Sequence, residues 1–336
     1  MSASAPQATP QRAPFKRWFE INHWRALVLA TGLGVVLIAL FAIGIGSVYI
    51  PLPTALKIVL ARVPFVALPV DWPGTFDTIL LDIRLPRVVL IALTGFALAS
   101  SGTAYQGLFR NPLADPYLIG VAAGASLGST LAVTWPLAQA GLVGTLLAPL
   151  GAFIGALVAV ALVLMLGRVG QRVPTTTLIL AGVAIGSFAI SLNTFILLSN
   201  GNQVARVLSF LMGGYGGAGW GAVAAILPFV SVGFVVMYLY AHRLNLLLFD
   251  EEQAQQLGIA VARVKLIIIL AATLTTAAVV AFAGLIGFVG LIVPHAARFF
   301  TGPDHRRLFP VAALGGAGFL MLADLLARTV IAPQEL

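Results

Sequence analysis

The sequence contains no cysteine, which excludes disulfides, thiolate chemistry and cysteine-ligated metal sites. Charge is almost as scarce. Asp, Glu, Lys and Arg make up 9% of the 336 residues, against about 25% in an ordinary soluble domain. So few ions cannot cover a water-facing surface, and a soluble cytosolic enzyme is excluded. The histidines His23, His242, His295 and His305 are scattered, and none has a partner at metal-ligating spacing. No phosphate loop of the form G-x-x-x-x-G-K-[ST] occurs, so ATP hydrolysis would need a separate chain. Catalytic, cofactor and metal sites are therefore not expected. The 19 basic residues exceed the 11 acidic ones, a balance that reads as loop and lipid-facing charge and not as a nucleic-acid surface. Apolar residues supply 60% of the chain, with 35 glycines and 19 prolines, both commoner in membrane helices than in soluble ones. The chain reads as an integral membrane protein.

A hydrocarbon core about 30 Å thick takes roughly 20 apolar helical residues, so stretches free of Asp, Glu, Lys and Arg mark the passes. They fall at residues 26–50, 88–109, 116–167, 173–205, 207–242, 266–297 and 308–327. The third is long enough for two passes broken near residues 134–141, and the sixth holds a full pass and a shorter one interrupted by glycine. Nine helices result. Alternating ten-residue segments of the barrel type are missing, so the fold class is all-α, a polytopic membrane bundle. Residues 1–23 are polar and proline-rich and predict a disordered cytoplasmic tail, leaving residues 24–336 as one transmembrane domain. With the N-terminus in the cytoplasm, only Lys57, Arg62, Arg84, Arg87, Arg206 and Arg328 of the 19 basic residues lie outside, as the positive-inside rule requires.

Four segments carry more than lipid solubility. Arg84-Leu85-Pro86-Arg87 puts two cations at the outer start of a helix, against its dipole; lipid-interface anchoring reads equally well there. Asn111-Pro112-Leu113-Ala114-Asp115-Pro116 is a tight turn leading into a helix rich in small residues, suited to close packing. In residues 246–258, Asp250 as N-cap with Gln253 makes a capping box, Glu251 and Glu252 suit a helix N-terminus, and Gly258 is a natural stop. A helix so short needs a partner to hold it. Finally, Gly284, Gly287, Gly290 and Pro294 predict a short or bent pass ending near His295, which reads as structural or as a proton carrier.

At these segments the chain resembles the permease subunits of ABC importers for vitamin B12, iron siderophores and heme, the FecCD or BtuC-like permeases. The resemblance spans nearly the whole chain after the tail. Beyond Arg84-Leu85-Pro86-Arg87 and the Asn111–Pro116 motif, it rests on Leu178-Ile179-Leu180-Ala181-Gly182-Val183, Leu211-Met212-Gly213-Gly214, residues 287–295 and Gly302-Pro303-Asp304-His305-Arg306-Arg307. It implies a ten-helix subunit that forms a homodimer with the substrate path on its two-fold axis. Two ABC ATPase subunits would dock on the cytoplasmic side, and a periplasmic or surface binding protein would deliver a large metal chelate from outside. The setting implied is a bacterial inner membrane with the N-terminus cytoplasmic. The family's coupling helices fall on residues 246–258, with Phe249, Asp250, Glu251, Glu252, Gln256 and Gly258 as contacts. Its inner gate falls on Thr175 and Thr176, for which ordinary helix N-capping is the alternative reading. Binding-protein docking falls on Arg84, Arg87 and Arg328. The family continues into a tenth helix, whereas this chain stops at Pro333-Gln334-Glu335-Leu336, so that helix is expected to be missing.

Ser191, Asn193 and Thr194 suit a weakly polar path lining, and they suit helix–helix hydrogen bonding equally. The alternative function is an ion-coupled secondary transporter, which needs an ionisable group in mid-membrane. Asp324 is the one candidate, and Arg328 one turn later favours a structural ion pair instead.

Overall fold

The computed structural model describes residues 14–46, 48–64, 69–135, 141–170, 172–199, 204–249 and 251–330. Helices dominate throughout. Helix α1 runs over Pro14–Gly44, followed by the short α2, Leu52–Leu60, and α3, Gly74–Asp77. α1 thus starts inside the stretch expected to be a disordered tail, because Pro14 is preorganised for a first turn and no breaker separates it from the pass; residues 1–13 lie outside the described residues.

A π-helical turn, Thr78–Arg84, leads into α4, Leu85–Leu108. α4 is the axle of the bundle. Its residues from Ala97 to Leu108 are all buried, and Ser100, Ser101, Gly102 and Thr103 let neighbouring backbones close in. Around it pack α9, Trp220–Leu239; α12, Val261–Ala283; α13, Val289–Thr301; and α14, His305–Thr329. A second layer holds α5, Val121–Thr134; α6, Gly141–Leu166; and α7, Thr175–Ser199. The remaining helices are α8, Val204–Met212; α10, Ala241–Leu247; and α11, Glu251–Gln256.

Nine of these helices, α1, α4, α5, α6, α7, α9, α12, α13 and α14, coincide with the nine passes drawn from the seven charge-poor stretches, and α5 ends at Thr134 and α6 begins at Gly141, where the break was expected. Six meet both the length and the apolarity needed to cross a membrane. α5 and α13, with 14 and 13 residues, are shorter because each is preceded by irregular backbone. A 3₁₀ turn at Pro116–Ile119 folds back into the bundle before α5, and a glycine-rich link at residues 284–288 precedes α13. The two irregular pieces pack on each other and leave Gly287 and Phe288 exposed. The Tyr117 hydroxyl donates to the Ile286 carbonyl at 3.0 Å, and Gly290 lies so close to Pro116 that a Cβ would come within 2.7 Å of its ring. In a bilayer, non-helical backbone is tolerated where protein buries it or where it lines a water-filled cavity.

Candidate functional site

The cytoplasmic-type features of the sequence collect at one end of the bundle. There α10 buries Ala241, Leu244 and Leu247 on one face, and the chain turns at Leu248 and Phe249 before α11. The stretch 246–258 expected to carry the coupling helices thus holds the end of α10, a turn and α11, which starts directly after the expected N-cap position. The turn lets α10 keep its apolar face in the core while α11, among its described side chains, buries only Ala254. Asp250, expected as N-cap, lies outside the described residues, as does the Glu251 side chain. Gly258 ends α11 as its sequence position predicted. With φ at +81°, its N–H reaches the Gln255 carbonyl at 2.9 Å, and the Ile259 N–H reaches the Ala254 carbonyl at 3.1 Å. These two bonds form a Schellman closure that favours glycine. Phe249 and Leu257 stand 76% and 70% exposed beside exposed Glu252, Gln255 and Gln256. The element is thus an amphipathic knob with its apolar tips uncovered.

Facing it is the loop between α6 and α7. Val169 and Arg172 exchange backbone hydrogen bonds at 3.0 and 3.1 Å, and the Thr177 hydroxyl donates to Gly167 and Pro174 carbonyls at 2.6 and 2.9 Å. The hydroxyl that knits the Pro-Thr-Thr-Thr run is thus that of Thr177. Thr175 is half-buried and Thr176 exposed. A cavity of about 870 Å³ lies between loop and knob, lined by Thr175 and Thr176 on one side and by Glu252, Gln255 and Gln256 on the other. Arg110, Arg172 and Lys265 make it basic. The residues expected to form a gate and those expected to meet a partner therefore share one wall-to-wall space.

The turn out of α4 is conformationally demanding. Arg110 adopts φ +50°, uncommon for a residue with a Cβ. Asp115 caps the following turn by accepting the Tyr117 N–H at 2.8 Å; burial pushes its carboxyl up, and this bond holds it down.

At the opposite end lie Arg84, Arg87 and Arg328, the residues expected to dock a binding protein, and each is engaged within the bundle. Arg84 is 6% exposed and donates to the Ile43 carbonyl at 2.9 Å, the Gly44 carbonyl at 3.2 Å and the Val48 carbonyl. It caps the C-terminus of α1, where unsatisfied carbonyls and the helix dipole attract a cation. Arg87 and Arg328 converge on Asp324, at 2.9 and 2.7 Å, with side-chain exposures of 19% and 9%. The Asp324–Arg328 pair is the ion pair that their spacing predicted.

The path candidates divide in a similar way. Asn193 is 6% exposed and donates to the Ser126 hydroxyl at 2.9 Å, so it joins α7 to α5. Ser191 and Thr194 lie on the open face of α7, their hydroxyls returned to the Ser187 and Ile190 carbonyls at 2.9 Å. That face continues through Leu180, Phe188, Phe195 and Leu198, which are 66–82% exposed.

Two features went unnoticed in the sequence. Lys265, 1% exposed, donates to the Val173 carbonyl at 2.9 Å; a lysine flanked by Val264, Leu266 and Ile267 inside an apolar run was the available signal. Asn245 of α10 bonds Asp304 at 2.6 Å and accepts the His305 N–H at 2.9 Å, which fastens α10 to the start of α14.

A polytopic helical bundle with interrupted passes and an amphipathic knob at one end is a permease architecture. Residues 34–336 match the FecCD transport family, and the chain belongs to that family. It is 45% identical over 256 residues to the cobalamin import system permease protein BtuC of Halobacterium salinarum, covering 76% of this chain and 68% of that one. The hemin transport system permease protein HmuU of Yersinia pestis is 42% identical, covering 76% of this chain and 77% of its own length. An ABC transporter permease protein of Bacillus subtilis, YvrB, is 39% identical over 94% of this chain and 89% of its own. Among solved structures, a metal-chelate type ABC transporter in an inward-facing conformation superposes with a TM-score of 0.79 over 93% of both chains, at 26% identity.

Proposed function

We propose that this chain is the transmembrane permease subunit of an ATP-driven importer that takes up a large metal chelate, such as an iron siderophore, heme or cobalamin. Two copies surround the path, with α7 against the partner copy, which would cover its exposed apolar face. Two ABC ATPase subunits sit on the α10–α11 knob, and a binding protein delivers cargo at the Arg328 end. ATP hydrolysis belongs to the ATPase and not to this chain. The protein resides in a bacterial inner membrane with its N-terminus in the cytoplasm. The observation that carries this reading is the shared cavity, which sets Thr175 and Thr176 beside Glu252 and Gln256. A partner that moves the knob can thereby reach the gate. The relatives named for cobalamin and hemin supply the cargo class.

The ion-coupled alternative is disfavoured by Asp324, its one ionisable candidate, whose carboxylate is held in a structural ion cluster by two arginines. The deciding experiment reconstitutes the permease with its ATPase and binding protein in liposomes and follows labelled cobalamin, heme and ferric siderophore. ATP-dependent uptake of one of them is expected. Uptake driven by a proton or sodium gradient without ATP would sink the proposal.

Two variants probe the moving parts. Thr176→Cys, in a chain without cysteine, is expected to cross-link between subunits to an extent that changes with nucleotide. Equal cross-linking with and without ATP would place the gate elsewhere. Gly258→Val forces a β-branched residue into the left-handed region, a strain of about 1–2 kcal/mol or more. Because no atom lies within 4 Å of a Cβ there, the strain is one of backbone and not of packing. ATP hydrolysis should persist while transport per ATP falls roughly tenfold; unchanged coupling would remove α11 from the lever.

A further inference from the structure

Movement of α11 reaches the gate only through a connection stiff enough to carry it. Gly258 closes α11 through two backbone bonds, and α12 begins at Val261, so a displacement of α11 pulls directly on the first turn of α12. Lys265 stands in that first stretch of α12. Its ammonium crosses to the Val173 carbonyl at 2.9 Å, from a position that is 1% exposed. Val173 directly precedes Pro174 and the gate threonines. Its loop is not slack, because the Val169–Arg172 bonds pin one side and the Thr177 hydroxyl ties Gly167 and Pro174 to the first turn of α7. On the other side of the knob, Asn245 holds α10 to Asp304 and His305. α10 is thereby fixed to α14, and motion imposed on α11 passes toward α12.

We propose that Lys265 is a positioning residue for transport, a tie that carries displacement of α11 through the start of α12 into the Val173–Thr176 gate segment. This rests on the gate and coupling roles proposed above. A charged donor suits the task because hydrogen bonds to ionised groups are about twice as strong as neutral ones. A buried lysine is also costly to leave without an acceptor, so the bond persists as the helices shift. A structural lysine would stabilise the bundle equally in both states of the gate. A tie makes the gate follow the nucleotide state of the ATPase.

The test uses the complete complex of permease, ATPase and binding protein, with Thr176→Cys as reporter in three backgrounds: Lys265, Lys265→Met and Lys265→Arg. Lys265→Met keeps the stem and removes the donor, whereas Lys265→Arg keeps a charged donor. With Lys265 present, cross-linking should change between ATP-bound and nucleotide-free complex. In Lys265→Met that change should vanish, ATP hydrolysis should continue, and cargo moved per ATP should fall about tenfold, within the usual range of coupling between sites. Lys265→Arg should restore most of both. If the reporter never responds to nucleotide even with Lys265, the gate assignment fails and the tie falls with it. If it responds identically in Lys265→Met, the gate stands and the tie alone is overturned. Should Lys265→Met fail to assemble, Lys265→Gln, a neutral donor on a shorter arm, answers the same question. Failure of both to assemble makes Lys265 a folding residue and overturns the proposal.

Discussion

Replacing Asp324 with asparagine is expected to destabilise the protein by about 3–5 kcal/mol, the usual cost of removing one partner from a buried ion pair. The carboxylate is 7% exposed and serves two guanidinium groups, Arg87 from α4 and Arg328 from its own helix. Without it two cations face each other in a site that water barely reaches. Arg84 adds a third positive charge nearby, held by the carbonyls that end α1. Thermal unfolding of the detergent-purified protein should show a large downward shift. The triple replacement Asp324→Leu, Arg87→Met and Arg328→Leu should recover much of it, since exchanging a whole buried ionic cluster for apolar groups is often neutral or better. If Asp324→Asn melts like the wild type, the cluster is solvated and contributes little. The same geometry bears on docking. A charge reversal at Arg84 or Arg87 alters the bundle before it alters any encounter, so association rates of such variants are informative only beside their melting curves.

Gly128→Val should be comparably severe, for a steric reason. Gly124 and Gly128 on α5 face Gly151 and Gly155 on α6, each pair spaced to lie on one helix face. A Cβ on Gly128 would overlap the Gly151 carbonyl, and one on Gly155 would overlap the Gly124 carbonyl. Lipid supplies no hydrophobic drive between helices, so this backbone-to-backbone contact is a principal source of their attraction. Valine must push the helices apart, at a cost of about 3 kcal/mol or more. The expected result is a polydisperse, low-melting sample, while Gly34→Ala, whose Cβ meets nothing within 4 Å on α1, leaves the protein unchanged or slightly firmer. A monodisperse Gly128→Val protein with normal melting would show that α5 and α6 separate freely.

What the sequence determined by itself were properties set by neighbours along the chain. Runs without charge mark helices because a bilayer excludes ions, and the nine passes read from seven such runs each coincide with a helix among the described residues. Gly258 is a stop because only glycine takes φ +81° without strain, and Asp324 pairs with Arg328 because four residues make one helical turn. The tertiary structure decided which helix each polar group meets. Arg87 reaches Asp324 across 237 residues, Tyr117 reaches Ile286 across 169, and Lys265 reaches Val173 across 92. Arg84 has nothing in its own segment to say that it caps α1, and Asn193 reads as well for a path as for the α5 contact it makes. Local pattern fixes where a helix lies and which residues share its face. The partner of a buried donor is fixed only when glycine-lined faces bring backbones together, and that is a property of the packed bundle.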